Sequence, residues 1–176
     1  MAETSVADPL HSAAKAGFLT LRLLDQWIAL GAELAAPESR AHVASRDALS
    51  RCTTDRDLHA ALTAILDAIV SLQQPDAQPV LPSVAALALL LERRGLMRQA
   101  IDVFQTVTHH VNTAVHLDLA FETLMHQGDC LCQVGEFEWA EQAYGNAGAL
   151  ATRDRDPARV VLARNAQSSL LSSATP

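Results

Sequence analysis

Apolar residues recur along this chain at helical spacing, three to four positions apart, in segments separated by proline, glycine or polar punctuation. Asp8-Pro9 reads as an N-cap followed by a first-turn proline. The predicted helix runs to about residue 35, where Ala36-Pro37 ends it. Ala14, Phe18, Leu21, Ile28 and Ala32 fall on one face of that helix, and Leu23, Trp27, Leu30 and Leu34 make a second stripe. A helix apolar on two sides is either central to its bundle or an interface, so Leu23, Trp27 and Leu30 are candidates for self-association.

A shorter helix is predicted from about Ser39 to Arg51, with Ala41, Ala44 and Ala48 inward. Thr54 and Asp57 have the spacing of a capping box for a third helix, which carries Leu58, Leu62, Ile65, Leu66 and Ile69. The stretch Gln74-Pro75-Asp76-Ala77-Gln78-Pro79-Val80-Leu81-Pro82 cannot continue a helix, because each proline removes a donor and clashes with the preceding turn. It divides the sequence into an N-terminal three-helix region (1–73), a proline-rich linker (74–82) and a helical segment (83–172).

The last segment repeats itself. Placing Gly95 on Gly135 aligns two stretches at a constant offset of 40 residues. Ala88 then matches Gly128, Leu91 matches Leu131, Ala100 matches Ala140, Phe104 matches Tyr144 and Val107 matches Ala147. Small residues in both helices let two antiparallel helices touch. The glycine after the first helix suits a left-handed C-cap, and the aromatic fills the gap toward the next helix. The 40-residue period predicts long helices between about Arg98 and Val134. Asp156-Pro157 should cap a closing helix that turns Val161, Leu162, Ala166, Leu170 and Leu171 inward.

The pattern resembles the tetratricopeptide repeat (TPR) family. Its signature of W-x2-L-G-x2-Y, then A-x3-F, is echoed by Leu124, Gln127, Gly128, Leu131, Ala140 and Tyr144. The earlier copy has Val84, Leu87, Ala88, Leu91, Ala100 and Phe104 at the same spacings. The likeness covers about residues 82–154; the family's usual period is shorter, and its closing proline is missing from both copies. Trp27, Leu30, Gly31 and Leu34 match the first half of the signature, but Val43 and Asp47 break the second half. The resemblance implies an all-α fold, with antiparallel helix pairs stacked as a short TPR-like α-solenoid beside an N-terminal helical region. It also implies a non-enzymatic module that binds a protein or peptide along the inner faces of the first helices. Carried over by position, those faces are Ala85, Leu89, Glu92, Met125, Asp129 and Cys132. Carboxylate capture, which uses lysine and asparagine in the family, is not expected from these six.

Composition narrows the partners. The chain has 32 alanines and only 4% aromatic residues, a mixture that favours helix on helix. With 20 acidic against 13 basic residues, its formal charge is −7, and Lys15 is its only lysine. Nucleic-acid binding leans on clustered cations, which are missing here. The most apolar stretch, residues 17–34, is broken by Arg22, Asp25, Gln26 and Glu33, so no membrane span is expected. Three cysteines and no basic-then-apolar leader pattern point to the cytoplasm.

Candidate chemistry is sparse. His126, Asp129 and Cys130 share a helical face at a spacing that could ligate a metal. No second ligand pair is evident, so neither a metal nor any cofactor is assigned. Glu136, Glu138 and Glu141 complement a helix N-terminus, and His109 and His110 a helix C-terminus. No phosphate loop, nucleophile elbow or dinucleotide fingerprint occurs, so no catalytic residue is named. Gly145 and Gly148 read as sites of close helix packing. Two alternatives stand beside the interaction module: a sensor holding a small apolar ligand in a helical cavity, and a metal-dependent enzyme built on the His/Cys group.

Overall fold

The computed structural model describes residues 55–70 and 78–173. Leu23, Trp27, Leu30 and the two N-terminal helices predicted around them lie outside the described residues. Among those described, all regular structure is helical and no strand occurs. In chain order the helices are α1 (Arg56–Val70), α2 (Leu81–Arg93), α3 (Met97–His110), α4 (Leu117–Gln133), α5 (Phe137–Asp154) and α6 (Pro157–Ser173). A single 3₁₀ turn, Gln78–Val80, leads into α2. Each helix packs against the next, and α2 also meets α4, so the chain stacks as successive antiparallel pairs.

The repeat register is visible in the core. Ala88, Leu91, Ala100, Phe104 and Val107 are buried, and so are their counterparts Gly128, Leu131, Ala140, Tyr144 and Ala147. The α2–α3 and α4–α5 turns are also built alike. Gly95 and Gly135 adopt φ of +75° and +80°, a left-handed conformation that glycine enters without a Cβ penalty. Their N–H groups bond the carbonyls of Glu92 and Cys132, while the next residues, Leu96 and Glu136, bond back to Leu91 and Leu131. This is the Schellman arrangement, which satisfies carbonyls left open at a helix end. The α5–α6 turn repeats the same bonds around Arg155, at φ +60° without a glycine.

The 40-residue period is not taken up by long helices alone. Helix α3 has 14 residues, and the loop 111–116 separates it from the 17 residues of α4. Arg153 holds that loop by donating to the Thr113 carbonyl at 3.3 Å. Gln78 holds its start, donating to the His110 carbonyl at 2.6 Å and accepting from the Asn112 N–H at 2.7 Å. The two Gln78 bonds also tie the 3₁₀ turn to the end of α3. Helix α1 contributes Leu58, Leu62, Ile65 and Leu66 to the same apolar cluster as α2 and α3.

The cap of α1 falls one residue later than the Thr54–Asp57 pattern predicts. Asp55 accepts from the N–H groups of Asp57 and Leu58 at 3.0 and 3.1 Å, which makes Asp55 the N-cap. Arg94, just after α2, forks onto Asp55 and onto Asp57, at 2.8 Å from the latter. The guanidinium bond, reinforced by the N–H group of Leu58, holds the Asp55 carboxyl below its ordinary 3.8. A depressed carboxylate stabilises the fold above its unfolded value and loses that contribution as protonation occurs at lower pH. Asp55→Asn is therefore expected to lower the urea midpoint at neutral pH, and the gap from wild type should close as pH falls below 3.8. A gap that persists in acid would show that the loss comes from the cap hydrogen bonds rather than from the charge on Asp55.

Asp156 caps α6 as expected, accepting from the N–H groups of Ala158 and Arg159 at 3.0 and 3.1 Å. Arg159 then reaches Asp118 at 2.6 Å and lies over the Phe121 ring, which sets α6 against the start of α4. Inward packing on α6 is narrower than predicted. Ala163 and Leu170 are buried, whereas Val161 and Leu162 are 55% and 53% exposed. An apolar residue next to a core position lies about 100° around the helix from it, which leaves Leu162 outside. Gly145 and Gly148 are not forced by close packing either. A methyl group there would meet its nearest neighbours at 3.8 and 3.6 Å, ordinary contact distances.

Candidate functional site

Helix α2 runs beside α4, and this pairing brings together the face on which the six groove residues were placed. They do not contribute equally. Ala85 is buried in the core and offers almost no surface. Leu89 and Met125 are half-buried and rest on the core cluster, each with part of its side chain open. Glu92 is partly exposed, Asp129 is exposed and Cys132 is intermediate. The accessible strip is thus apolar at Leu89 and Met125 and acidic at Glu92 and Asp129.

A polar chain crosses that strip. The His126 Nδ1 lies 3.3 and 3.0 Å from the two carboxylate oxygens of Glu92, which comes from the last turn of α2. The imidazole stacks on the Phe104 ring from α3, with centroids 5.9 Å apart and planes 12° from parallel. One turn further along α4, Asp129 accepts a 2.6 Å hydrogen bond from the Tyr144 hydroxyl of α5. The Cys132 sulfur stands 3.5 Å from the same hydroxyl. Burial, then the bond to the Asp129 carboxylate, pushes the Tyr144 phenol well above its ordinary 10. Tyr144 therefore stays a donor, and it fixes the orientation of Asp129.

Cys130 does not join His126 and Asp129. It is fully buried, and Glu92 from the neighbouring helix takes the place that helical spacing had suggested for the thiol. Burial, with Glu92 and Asp129 nearby, pushes the Cys130 thiol up to about 12. It is a core side chain and remains un-ionised at neutral pH.

Gly128 lets Tyr144 reach this position. A Cβ at Gly128 would lie 2.5 Å from Tyr144 Cε1 and 2.8 Å from Cδ1 and Cζ. The missing side chain on α4 is therefore the space that the ring occupies. Beside it, an open cleft of about 480 Å³ runs between α4 and α6, lined by Asp129, Cys132, Phe137, Tyr144, Ala166 and Leu170. Asp129 and Cys132 thus belong both to the α2–α4 strip and to this cleft.

A second open cleft, of about 650 Å³, lies among α3, α4 and α5. Trp139 lines it and is 62% exposed. Sequence reasoning passed over Trp139 because its counterpart in the earlier copy is Gln99, so it carries no repeat signal. Its only signal was a large aromatic at a position where the repeat asks for nothing apolar. Among the described residues, no helix is long and apolar enough to cross a membrane. Comparison with known proteins yields no match: no family model, no curated protein and no solved structure aligns with this chain.

Proposed function

We propose that this chain is a non-catalytic interaction module that holds an amphipathic helix of a partner protein, flanked by basic residues, against the α2–α4 face. The observation that carries the reading is the accessible strip itself. Leu89 and Met125 leave apolar surface open on the same two helices as the clustered carboxylates of Glu92 and Asp129, in a protein of formal charge −7. Apolar anchors on the partner would be buried on the first pair, and its cations would face the second. The cleft between α4 and α6 extends the surface past Asp129 and gives the partner a continuous track. The likeness to tetratricopeptide repeats supports the same face, since partners of that family lie along the first helix of each pair. The cytoplasm is the compartment this reading assumes.

The test begins with capture by the full chain, identification of the bound protein and mapping of the bound segment. The mapped segment should be helical, with apolar anchors at three- and four-residue spacing and basic flanks. Leu89→Asp combined with Met125→Asp should weaken its binding at least tenfold, about 1.4 kcal/mol, with far-ultraviolet circular dichroism retained. Glu92→Lys, at a partly exposed position, should weaken binding chiefly at low salt, because rim charges act on the association rate. A mapped segment without basic flanks, or full affinity in a folded double variant, would place the binding surface elsewhere. If the double variant unfolds, the salt dependence of Glu92→Lys decides alone.

A further inference from the structure

We propose that Glu92, His126 and Asp129 form a binding site for one divalent transition-metal ion, with zinc as the species that fits best. The site does not rest on the partner reading, because it needs only residues of this chain. One donor atom from each of the three residues lies within 4.8 Å of the other two. Ligands held about 2.0–2.2 Å from one zinc ion at tetrahedral angles stand roughly 3.3–3.6 Å apart. The Glu92 oxygens already stand 3.0 and 3.3 Å from the His126 Nδ1, so that pair needs little movement, and the ion takes the place of the proton between them, which is released to solvent. Asp129 has to close the remaining gap, and as an exposed side chain it has room to do so.

The donor set selects the class of ion. One imidazole nitrogen with two carboxylates suits zinc, and also manganese or iron, better than the all-oxygen preference of calcium or magnesium. Groups around the three ligands hold them in place. Tyr144 donates to one oxygen of Asp129 and leaves the other free to bind. Phe104 lies flat against the imidazole and fixes its plane. Such supporting contacts are how metal ligands are kept in their binding orientation. The two carboxylates also bring two negative charges together, against which His126 alone supplies at most one positive charge. A divalent ion would neutralise both, and it would compete with a partner's basic flank for the same two carboxylates.

The experiment uses the full chain, stripped with chelator at neutral pH and titrated with zinc chloride by calorimetry. The expected result is one zinc per chain with a dissociation constant in the micromolar range or tighter. Asp129→Asn and His126→Gln should each weaken binding at least about tenfold while circular dichroism stays unchanged. A His109→Gln/His110→Gln variant should bind as wild type does. If either ligand variant unfolds, the imidazole ¹⁵N resonances of His126 in the wild-type protein provide the readout, and zinc should shift Nδ1 away from its free value. The proposal is overturned by absence of binding, by undiminished affinity in the folded ligand variants, or by His126 resonances that ignore the ion.

Discussion

Gly128→Ala is expected to destabilise this protein, although alanine is by far the better helix former. Intrinsic propensity alone would favour the substitution by about 1 kcal/mol. Against it stands a new methyl group 2.5 Å from a Tyr144 ring carbon. Overpacking of a filled core typically costs about 1–3 kcal/mol. The sign depends on whether the ring can give way. Tyr144 is 3% exposed, and its hydroxyl is tied to Asp129 at 2.6 Å, so turning aside would break that bond and disturb the core. The clash should win for alanine by roughly 1 kcal/mol, and Gly128→Leu should cost about 3 kcal/mol or more. Equilibrium unfolding in urea would measure both. A double-mutant cycle isolates the cause, because in a Tyr144→Ala background Gly128→Ala should become neutral or stabilising. If Gly128→Ala is already neutral in the wild-type protein, the steric account of this position fails.

The parts of the fold that could be read from sequence are those the repeat enforces locally. Gly95 and Gly135 mark the two turns because only a left-handed C-cap lets α2 and α4 reverse so tightly. Ala100 and Ala140 could be identified because a small residue at a helix crossing is demanded in both copies. The polar site was hidden for the same reason. On the 40-residue register, Glu92 aligns with Cys132 and His126 with Ala86, so the repeat predicts no partnership between Glu92 and His126. Their 3.0 Å approach comes from how α2 lies against α4, which no spacing within one helix encodes. Helical spacing instead grouped His126 and Asp129 with Cys130, whose side chain turns into the core. Val161 and Leu162 were misplaced because α6 carries apolar residues on several sides, and its inner face is chosen by α5 rather than by α6 itself. Leu23, Trp27 and Leu30, the candidates for self-association, lie outside what the structure describes.

Phe104→Ala should produce the largest loss of any single substitution considered, about 3–5 kcal/mol, because a fully buried ring leaves a cavity that the helices cannot fill. Phe104 is 1% exposed, joins the core shared by α1, α2 and α3, and carries the His126 ring on its face. It is the counterpart of Tyr144, and comparing the two shows what each position demands. The residue equivalent to Asp129 is Leu89 and the one equivalent to Cys132 is Glu92, so a hydroxyl introduced by Phe104→Tyr would meet an apolar side chain in place of Asp129 and a carboxylate already bonded to His126 in place of the thiol. An unsatisfied buried hydroxyl costs about 1–3 kcal/mol, and one that takes Glu92 from His126 breaks an existing bond, so Phe104→Tyr should be less stable than wild type by up to that amount. Tyr144→Phe should lose about 1–3 kcal/mol for a different reason, the removal of a hydrogen bond to a charged group, while the ring stays in place. Urea denaturation of the three variants should therefore rank Phe104→Ala lowest and leave the other two between it and wild type. If Phe104→Tyr proves as stable as wild type, position 104 accepts either aromatic; if Tyr144→Phe does, the hydroxyl at 144 is not there to hold Asp129.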